Sequence, residues 1–283
     1  MAAPGKPSDT ISLVIADVDG TLVTEQKELT PRAQAAVRAL HQAGMAFAIT
    51  SGRPPRGMAM LVEPLALTTP IAGFNGGIFV RPDMTVIATT PLDPGIAKLA
   101  VDLLGARGLD AWVYAGNDWL VRDPGAPHAA REEWTVKFPP TVVGEFGEAL
   151  DHAVKVVGVS DDYDLVARIE REMQQVVAGR ASAVRSQPYY LDVTHPRANK
   201  GEVVRTLSRQ LGIPQAAIAT IGDMPNDVLM FHESGLSIAM GNARPEVKAE
   251  AHFATDDYNN EGFAKAIERF VLPRARRAGE AAQ

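Results

Sequence analysis

Two aspartates lie two residues apart near the start of the chain, directly after a short apolar run. The run, Ile11–Ala16, is rich in β-branched residues, which predicts a strand buried on both faces. Asp17 and Asp19 follow it in Asp17–Leu22 (DVDGTL), where Gly20 permits a turn. Two carboxylates at the end of a buried strand are costly unless a cation or hydrogen bonds neutralise them. The pattern is too narrow for an incidental acidic turn, and it marks a candidate site.

A second acidic segment follows a later predicted strand, Ala217–Ile221. This segment, Gly222–Asp227 (GDMPND), contains two aspartates and an asparagine, Asn226. Acid clusters of this kind suit a hard cation held by oxygen ligands. Asp227 has an alternative interpretation as the residue that caps or opens the next helix, whereas Asp223 is harder to explain in that way.

Two further segments offer partners for an anion. Thr50–Pro55 (TSGRPP) follows the predicted strand Met45–Ile49 and begins a predicted helical stretch. A hydroxyl, a glycine and a helix N-terminus together form an anion site, although that segment taken alone is equally typical of an ordinary helix start. Asn199–Gly201 (NKG) precedes another predicted helix, where Lys200 is either solvated or a fixed counter-charge beside the acids and a phosphate.

The elements that must position these residues alternate between strand and helix. Thr30-Pro31 predicts a helix start, because Thr is a good cap and Pro is tolerated at the first helical position, and Gly44 predicts the end of that helix. A strand at Pro70–Ala72 and a hairpin at Ile78–Thr89 follow, and the strand–helix rhythm returns after Lys200. In doubly wound sheets, ligands bind outside the carboxyl ends of the strands, which is where the acidic segments lie.

The middle of the chain has a different, α+β pattern. The most economical interpretation is a doubly wound, Rossmann-like parallel-sheet core, residues 1–90 and 191–283, interrupted by an inserted domain, residues 91–190. The inserted segment includes a stretch that is rich in predicted loops. This stretch passes through Pro124, Pro127, Pro139 and Pro140.

The composition is that of an ordinary globular protein. The chain has 283 residues, of which 46% are hydrophobic and 22% are charged, and at roughly 150 residues per domain its length suggests two domains. Its net charge of −6 and the lack of a basic stripe argue against nucleic-acid binding. It contains no cysteine, which excludes disulfides, thiolate metal sites and cysteine nucleophiles.

We expect no membrane partner for this chain. Its first residues lack the apolar region of a signal peptide, and no apolar run approaches the roughly 18 residues that a spanning helix needs. These features predict a cytoplasmic protein. The oligomeric state is left open between a monomer and a homodimer.

The four motifs, in this order, resemble those of the haloacid dehalogenase (HAD) superfamily. More closely, the chain resembles the Cof-type hydrolase or sugar-phosphatase branch, in which a large α/β cap is inserted between the second and third motifs. The resemblance spans about Leu13 to Phe270. The matching motifs are Asp17–Leu22, Ser51–Arg53, Lys200–Gly201 and Gly222–Asp227. Softer matches are Asn75–Gly77, Ala239–Ala243 and Glu261–Phe263.

The resemblance implies a Mg²⁺-dependent phosphatase of small phosphorylated metabolites, with sugar phosphates favoured. Asp17 would be the nucleophile that forms an aspartyl-phosphate, and Asp19 would protonate the leaving alcohol and then deprotonate water. Mg²⁺ would be bound by the Asp17 carboxylate, the Asp19 backbone carbonyl, Asp223 and, through water, Asp227. We expect crowding of these four acids to raise some of their pKa values, and Mg²⁺ to stabilise the fold.

The resemblance also implies which residues hold the phosphoryl group. Its oxygens would be bound by Ser51, Lys200 and Asn226, within a phosphate and substrate site that includes Gly52 and Arg53. Thr50 is a second hydroxyl beside Gly52, but Ser51 is the one that aligns.

Two alternative functions are compatible with the same motifs. A phosphomutase would return the phosphate from Asp17 to another hydroxyl, and a non-catalytic protein would only sense a phosphorylated ligand. The presence of both Asp17 and Asp19 argues against the sensor.

In this branch the cap selects the leaving group, so polar residues of the inserted domain are candidates for substrate contacts, although each is more often simply solvated. The candidates from cap loops are Asn117, Asp118, His128, Arg131 and Lys137. Asp192 and His195, near the return to the core, are further candidates.

Overall fold

The computed structural model describes residues 5–275, and they form two sheets with flanking helices. The strands of this part of the chain are β1 (Leu13–Asp17), β2 (Ala46–Thr50), β3 (Ile71–Gly73), β4 (Ile78–Val80), β5 (Val86–Thr89), β6 (Asp110–Ala115), β7 (Asp118–Val121), β8 (Thr141–Val142), β9 (Ala153–Val159), β10 (Ser182–Gln187), β11 (Tyr190–Thr194), β12 (Ile218–Gly222), β13 (Leu236–Ala239) and β14 (Phe253–Ala254). The α-helices are α1 (Pro31–Gln42), α2 (Pro94–Ala106), α3 (Ala129–Val136), α4 (Tyr163–Val177), α5 (Lys200–Leu211), α6 (Val228–Glu233), α7 (Pro245–Lys248) and α8 (Gly262–Ala266).

The first sheet is the predicted doubly wound core. Its strand order is β14-β13-β12-β1-β2-β3-β4-β5, and all neighbours are parallel except at the β3-β4-β5 edge, where the predicted hairpin lies. Every residue of β1 is buried, as expected for a strand covered by helices on both faces. The predicted fold class is confirmed.

Helix α1 begins and ends as its sequence predicts. The Thr30 hydroxyl accepts the N–H of Ala33 at 3.1 Å, Pro31 occupies the first helical position, and Gly44 has φ +74°. This helix and its neighbours fix the order of the parallel strands. The carboxyl ends of β1, β2 and β12 therefore meet at one edge of the sheet, with Asp17 opposite Thr50 in the ladder.

The second sheet, with strand order β10-β11-β9-β6-β7-β8, forms the cap. One face packs on α2 and α4 through residues such as Val113 and Leu191, and the other faces the core through residues such as Tyr114 and Val157. Strand β11 pairs with β9 over its whole length, so the cap sheet continues to Thr194, beyond the boundary expected at position 190.

Three elements differ from the sequence prediction. Strand β1 begins at Leu13, because Ile11 instead bridges to Ala275. The helical stretch after Thr50–Pro55 is a 3₁₀ helix, Pro55–Leu61. The proline-rich stretch of the cap contains helix α3, which the sequence assigns to loops because it is short and starts and ends without a glycine.

The cap contacts the core closely. The ring of Tyr114 lies 5.1 Å from the ring of Phe74, and a Cβ atom on Gly57 would meet the Val136 backbone at 3.2 Å. Gly57 therefore lets α3 pack directly on the 3₁₀ helix of the core. Within residues 5–275, no helix has both the length and the apolar character that crossing a membrane requires.

Candidate active site

Three carboxylates converge where β1 and β12 end. Asp17 ends β1, Asp223 follows β12, and Asp227 lies one short turn further on. Each offers an oxygen within 4.8 Å of the others, and all three side chains are buried. Neighbouring parallel strands bring residues distant in sequence to one edge of the sheet, which is why these acids meet.

Asp227 also shapes the loop that carries Asp223. One of its carboxylate oxygens accepts the backbone N–H groups of Asp223 and Met224, each at 2.8 Å. A Cβ atom on Gly222 would lie 2.6 Å from the Asp227 carboxylate, so only glycine leaves room for this contact. Asp227 therefore stands at the start of α6 without a side-chain cap hydrogen bond to that helix, its carboxylate supports the preceding loop, and its part in holding a metal stays a prediction.

Asp223 is oriented by two polar neighbours. Thr21 Oγ1 donates to its Oδ1 at 3.3 Å, and Asn242 Nδ2 donates to its Oδ2 at 2.9 Å. Asn242 also donates to the carbonyl of Gly20 at 3.0 Å, which ties the first and fourth motifs together. In the sequence analysis, Asn242 appears only within Ala239–Ala243, one of the weaker matches to the family motifs.

Lys200 is the counter-charge of this acidic group. Its side chain is 2% exposed, and its Nζ contacts Asp17 Oδ1 at 2.5 Å and the carboxylate of Asp227. The Asn199 side chain caps α5 by accepting the N–H of Glu202 at 3.1 Å, which places Lys200 at the first helical position. Lys200 is therefore buried beside the acids rather than solvated, and its contact with a phosphate stays a prediction.

Asp17 and Asp223 have raised pKa values because they are buried and close to other carboxylates. Burial raises the pKa of Asp17 well above its usual range; the Lys200 ammonium opposes this rise, whereas Asp227 and Asp223 add to it. Burial, and next the charge of Asp227, raise the pKa of Asp223 to about 7. One lysine cannot neutralise three carboxylates, so the group suits a divalent oxygen-binding cation such as Mg²⁺.

The carboxylate of Asp19 has different partners. It accepts from Arg53 Nε at 2.7 Å, from Arg53 Nη2 at 2.6 Å and from Lys27 Nζ at 2.6 Å. Burial favours a higher pKa for Asp19, but these two cations outweigh it and lower the pKa to about 2. The pKa values of Asp17 and Asp223 are therefore raised, in line with the expectation that some of the four acids have raised values, whereas the pKa of Asp19 is lowered.

The polar side chains of the second motif contact Asp19 and nearby backbone groups. The Ser51 hydroxyl accepts the N–H of Arg53 at 3.1 Å and lies 3.5 Å from Asp19 Oδ2. Arg53 Nη1 donates to the carbonyl of Gly57 at 3.2 Å, so the guanidinium that the motif suggested for phosphate is bound to protein groups. Thr50 Oγ1 is buried without a hydrogen-bond partner among the described residues.

Asn226 is exposed at the rim of the site, where it meets Asn75. Its Nδ2 donates to Asn75 Oδ1 at 3.3 Å, and the N–H of Asn75 donates to the carbonyl of Ser51 at 2.8 Å. A Cβ atom on Gly52 would lie 3.8 Å from the Asn75 amide. Phe74 and Asn75 both have positive φ, 50° and 56°, and this left-handed turn brings Asn75 between the second and fourth motifs.

Comparison with known proteins decides the family. The family model described as haloacid dehalogenase-like hydrolase matches residues 14–267, which include all four motifs. The chain belongs to the haloacid dehalogenase-like hydrolases. The resemblance seen in the motifs is therefore confirmed, and so is the expectation of a hydrolase of this kind.

Similar proteins match this hydrolase over most of its length. YxeH of Bacillus subtilis, whose name gives a phosphatase without a substrate, is 28% identical over 266 residues, which are 92% of this chain and 98% of YxeH. YcsE of the same bacterium, named a 5-amino-6-(5-phospho-D-ribitylamino)uracil phosphatase, is 25% identical over 93% of this chain and 96% of its own. A haloacid dehalogenase-like hydrolase from Bacteroides thetaiotaomicron superposes with a TM-score of 0.84 and 25% identity, covering 92% of this chain and 99% of that one.

Most cap candidates in this hydrolase have partners within the cap. His128 stacks on Tyr189 with ring centroids 3.8 Å apart, and the Arg131 guanidinium lies 5.7 Å from the same ring. Lys137 lies over the exposed ring of Trp134 at 4.5 Å. The remaining candidates also stay in the cap or at its return strand. Asp118 is exposed, Asn117 has a buried oxygen with no partner in the described chain, Asp192 pairs with Lys155, and His195 accepts the N–H of Arg197.

Proposed function

We propose that this hydrolase is a Mg²⁺-dependent phosphatase of small phosphorylated metabolites, with sugar phosphates favoured, that acts through an aspartyl-phosphate on Asp17. The observation that carries the proposal is the buried group of Asp17, Asp223 and Asp227 around the ammonium of Lys200. Such a group provides a nucleophilic carboxylate and oxygen ligands for a cation next to a fixed positive charge.

The residues that would hold Mg²⁺ are Asp17, Asp223 and Asp227, together with the backbone carbonyl of Asp19. When bound, Mg²⁺ supplies charge neutralisation and orients the phosphate oxygens. Lys200, which contacts Asp17, would stabilise the negative charge of the phosphoryl group. The carboxylate of Asp17 attacks phosphorus, and the leaving oxygen departs as phosphorus bonds to Asp17.

Asp19 is the proposed proton carrier. Its carboxylate lies 3.5 Å from the Ser51 hydroxyl, which is the proposed phosphate ligand. Asp19 would give a proton to the leaving alcohol and then take one from the water that hydrolyses the aspartyl-phosphate. Because Arg53 and Lys27 favour its ionised form, Asp19 must weaken these contacts when it carries the proton.

The experiment is phosphate release from a panel of phosphorylated metabolites, with Mg²⁺ and with a chelator, beside Asp17→Asn. We expect Mg²⁺-dependent turnover that vanishes in Asp17→Asn, while the melting temperature shows that the variant is folded. Lack of release from every compound would contradict the proposal. Isomerisation of a substrate in a coupled assay, without net release, would indicate the phosphomutase instead.

A further inference from the structure

The cap face that meets the core carries a cluster of charged residues. Lys155 on β9 pairs with Asp192 on β11 at 2.8 Å, and their side chains are 11% and 15% exposed. Tyr114 on β6, opposite Lys155 in the ladder, donates its hydroxyl proton to Glu132 on α3 at 2.6 Å. Glu132, Lys155 and Asp192 are called the cap cluster below.

The cap cluster adjoins the second motif of the core. The ring of Tyr114 packs on Phe74, whose N–H donates to the carbonyl of Arg53 at 2.9 Å. Helix α3 packs on Gly57, which accepts Arg53 Nη1. Burial raises the pKa of Glu132, and the charges of Lys155 and Arg53 oppose this rise. These contacts place the cap cluster next to the second motif, whose Arg53 binds Asp19, the proposed acid for the leaving group.

The cap cluster has hydrogen-bonding capacity that the protein does not use. Asp192 Oδ1 is buried and has no partner among residues 5–275. Glu132 accepts the Tyr114 proton through Oε1, so its second oxygen is available. Lys155 carries three N–H donors; its Nζ pairs with Asp192 and lies 5.7 Å from the centre of the Tyr114 ring. An unpaired buried carboxylate oxygen costs free energy, so these atoms suit a ligand that supplies donors.

The charges of the cap cluster restrict the charge of a ligand that could bind there. Two carboxylates and one ammonium leave an excess of negative charge, and Arg53 is already paired with Asp19. A second phosphate or a carboxylate on the leaving group would be repelled. Hydroxyl groups both donate to carboxylates and accept from an ammonium, and they carry no charge.

We propose that Glu132, Lys155 and Asp192 bind the leaving group and select a neutral polyhydroxylated one over an anionic one. The inference rests on the proposed phosphatase function and names its substrate class. It concerns the part of the substrate beyond the ester oxygen, whereas the acids and Lys200 act on the phosphoryl group.

The test compares two phosphate esters that share a carbon chain and differ at its far end. D-sorbitol 6-phosphate ends in a hydroxyl, and 6-phospho-D-gluconate ends in a carboxylate. We expect kcat/KM to be about tenfold or more higher for the sorbitol ester, because a buried charge is rejected more strongly than a hydroxyl. In Glu132→Gln and Asp192→Asn, this ratio should fall towards one, mainly through KM.

The matched control is Glu133→Gln, next to Glu132 on the exposed side of α3, which should keep the wild-type ratio. An unchanged ratio in both cap-cluster variants, or equal wild-type activity on the two esters, would overturn the inference while leaving the phosphatase intact.

Binding gives a readout that does not need turnover. Calorimetry of D-sorbitol 6-phosphate with Asp17→Asn should show affinity that falls about tenfold when Asp192→Asn is added and stays unchanged with Glu133→Gln. If p-nitrophenyl phosphate and both esters release no phosphate, the proposed function fails, and the calorimetric comparison still decides whether the cap cluster binds the polyol. Equal affinities in the three proteins would overturn the inference.

Discussion

Arg53 holds the carboxylate of Asp19 through two nitrogens, at 2.7 Å from Nε and 2.6 Å from Nη2. A planar guanidinium matches a carboxylate with two parallel hydrogen bonds, which a lysine cannot do. The same contact fixes the position of Asp19 and, together with Lys27, lowers its pKa to about 2. Arg53 therefore acts as a positioning residue for the proposed acid and base, and it keeps that residue ionised in the free enzyme.

Arg53→Lys should reduce kcat for an alkyl phosphate by roughly 10- to 100-fold, because a misplaced catalytic group costs rates of that order. The loss should be smaller for p-nitrophenyl phosphate, whose leaving group needs no proton. Steady-state kinetics on the two substrates provides the comparison. Arg56→Lys is the matched control, since Arg56 lies three residues further on, in the 3₁₀ helix Pro55–Leu61, and stacks on Phe138 of the cap. Equal losses on both substrates would argue against a role in proton transfer.

Mg²⁺ should stabilise the fold more as the pH rises. The folded-state pKa of Asp223 is raised to about 7 from an ordinary value of 3.8, so the folded protein holds a proton that the unfolded chain has lost. The metal-free protein therefore loses stability as the pH rises from about 4 through 7. Mg²⁺ displaces that proton, so the Mg²⁺-induced rise in melting temperature should be larger at about pH 7.5 than at about pH 5.5. Thermal unfolding with and without Mg²⁺ at the two pH values measures this.

Asp223→Asn is the variant that separates stabilisation by bound Mg²⁺ from the nonspecific effect of added salt on the melting temperature. The amide keeps the shape of the side chain but has no proton to release and is a poorer ligand. Its Mg²⁺-induced shift should be far smaller than that of the wild type and less dependent on pH. A shift of the same size in both proteins would remove Asp223 from the metal site.

The acidic group was predictable from the sequence, whereas the surroundings of Asp19 were not. Asp17 and Asp223 follow buried strands, and the topology of a doubly wound sheet brings such ends together. The pairing of Asp19 with Arg53 depends on the direction in which side chains turn from two neighbouring strand ends, which strand patterns do not encode. Sequence spacing therefore predicted four crowded acids, and the structure has three.

The cap was harder to predict for a different reason. Helix α3 has eight residues, and it begins after His128 and ends before Lys137, both in the left-handed region without a glycine. An isolated helix of this length is unstable, so its formation depends on packing against the core at Gly57 rather than on local signals. Without the helix, nothing indicates which side chains of this segment face the core, so Arg131 was a candidate for substrate contacts and the neighbouring Glu132 was not.

Gly222→Ala should weaken Mg²⁺ binding without touching a ligand. A Cβ atom there would lie 2.6 Å from the Asp227 carboxylate, so the carboxylate or the strand end must shift. The Mg²⁺ concentration for half-maximal activity should rise about tenfold or more, since changes in the supports of metal ligands typically have effects of 10- to 100-fold. Gly105→Ala is the control: Gly105 lies in α2 with nothing within 4 Å of its would-be Cβ, and the change should stabilise the fold by roughly 0.5–1 kcal/mol. An unchanged Mg²⁺ requirement in Gly222→Ala would show that Mg²⁺ binding does not depend on the present position of the Asp227 carboxylate.

Lys200→Met should destabilise the protein by about 3–5 kcal/mol at neutral pH, because it leaves the buried carboxylates of Asp17 and Asp227 without their counter-charge. The ammonium lowers the pKa of Asp17, so its loss raises a folded-state pKa that is already high. A raised carboxyl pKa destabilises the fold increasingly as the pH rises, so the loss should be larger at about pH 8 than at about pH 5. Urea unfolding of both proteins at the two pH values measures the difference. Lys265→Met is the control for losing an ion pair, because the Lys265–Asp256 pair lies near the surface, with side chains 23% and 42% exposed, and its loss should change the stability little at either pH. A pH-independent loss in Lys200→Met would mean that the methionine disturbs packing, and that charge is not what Lys200 contributes.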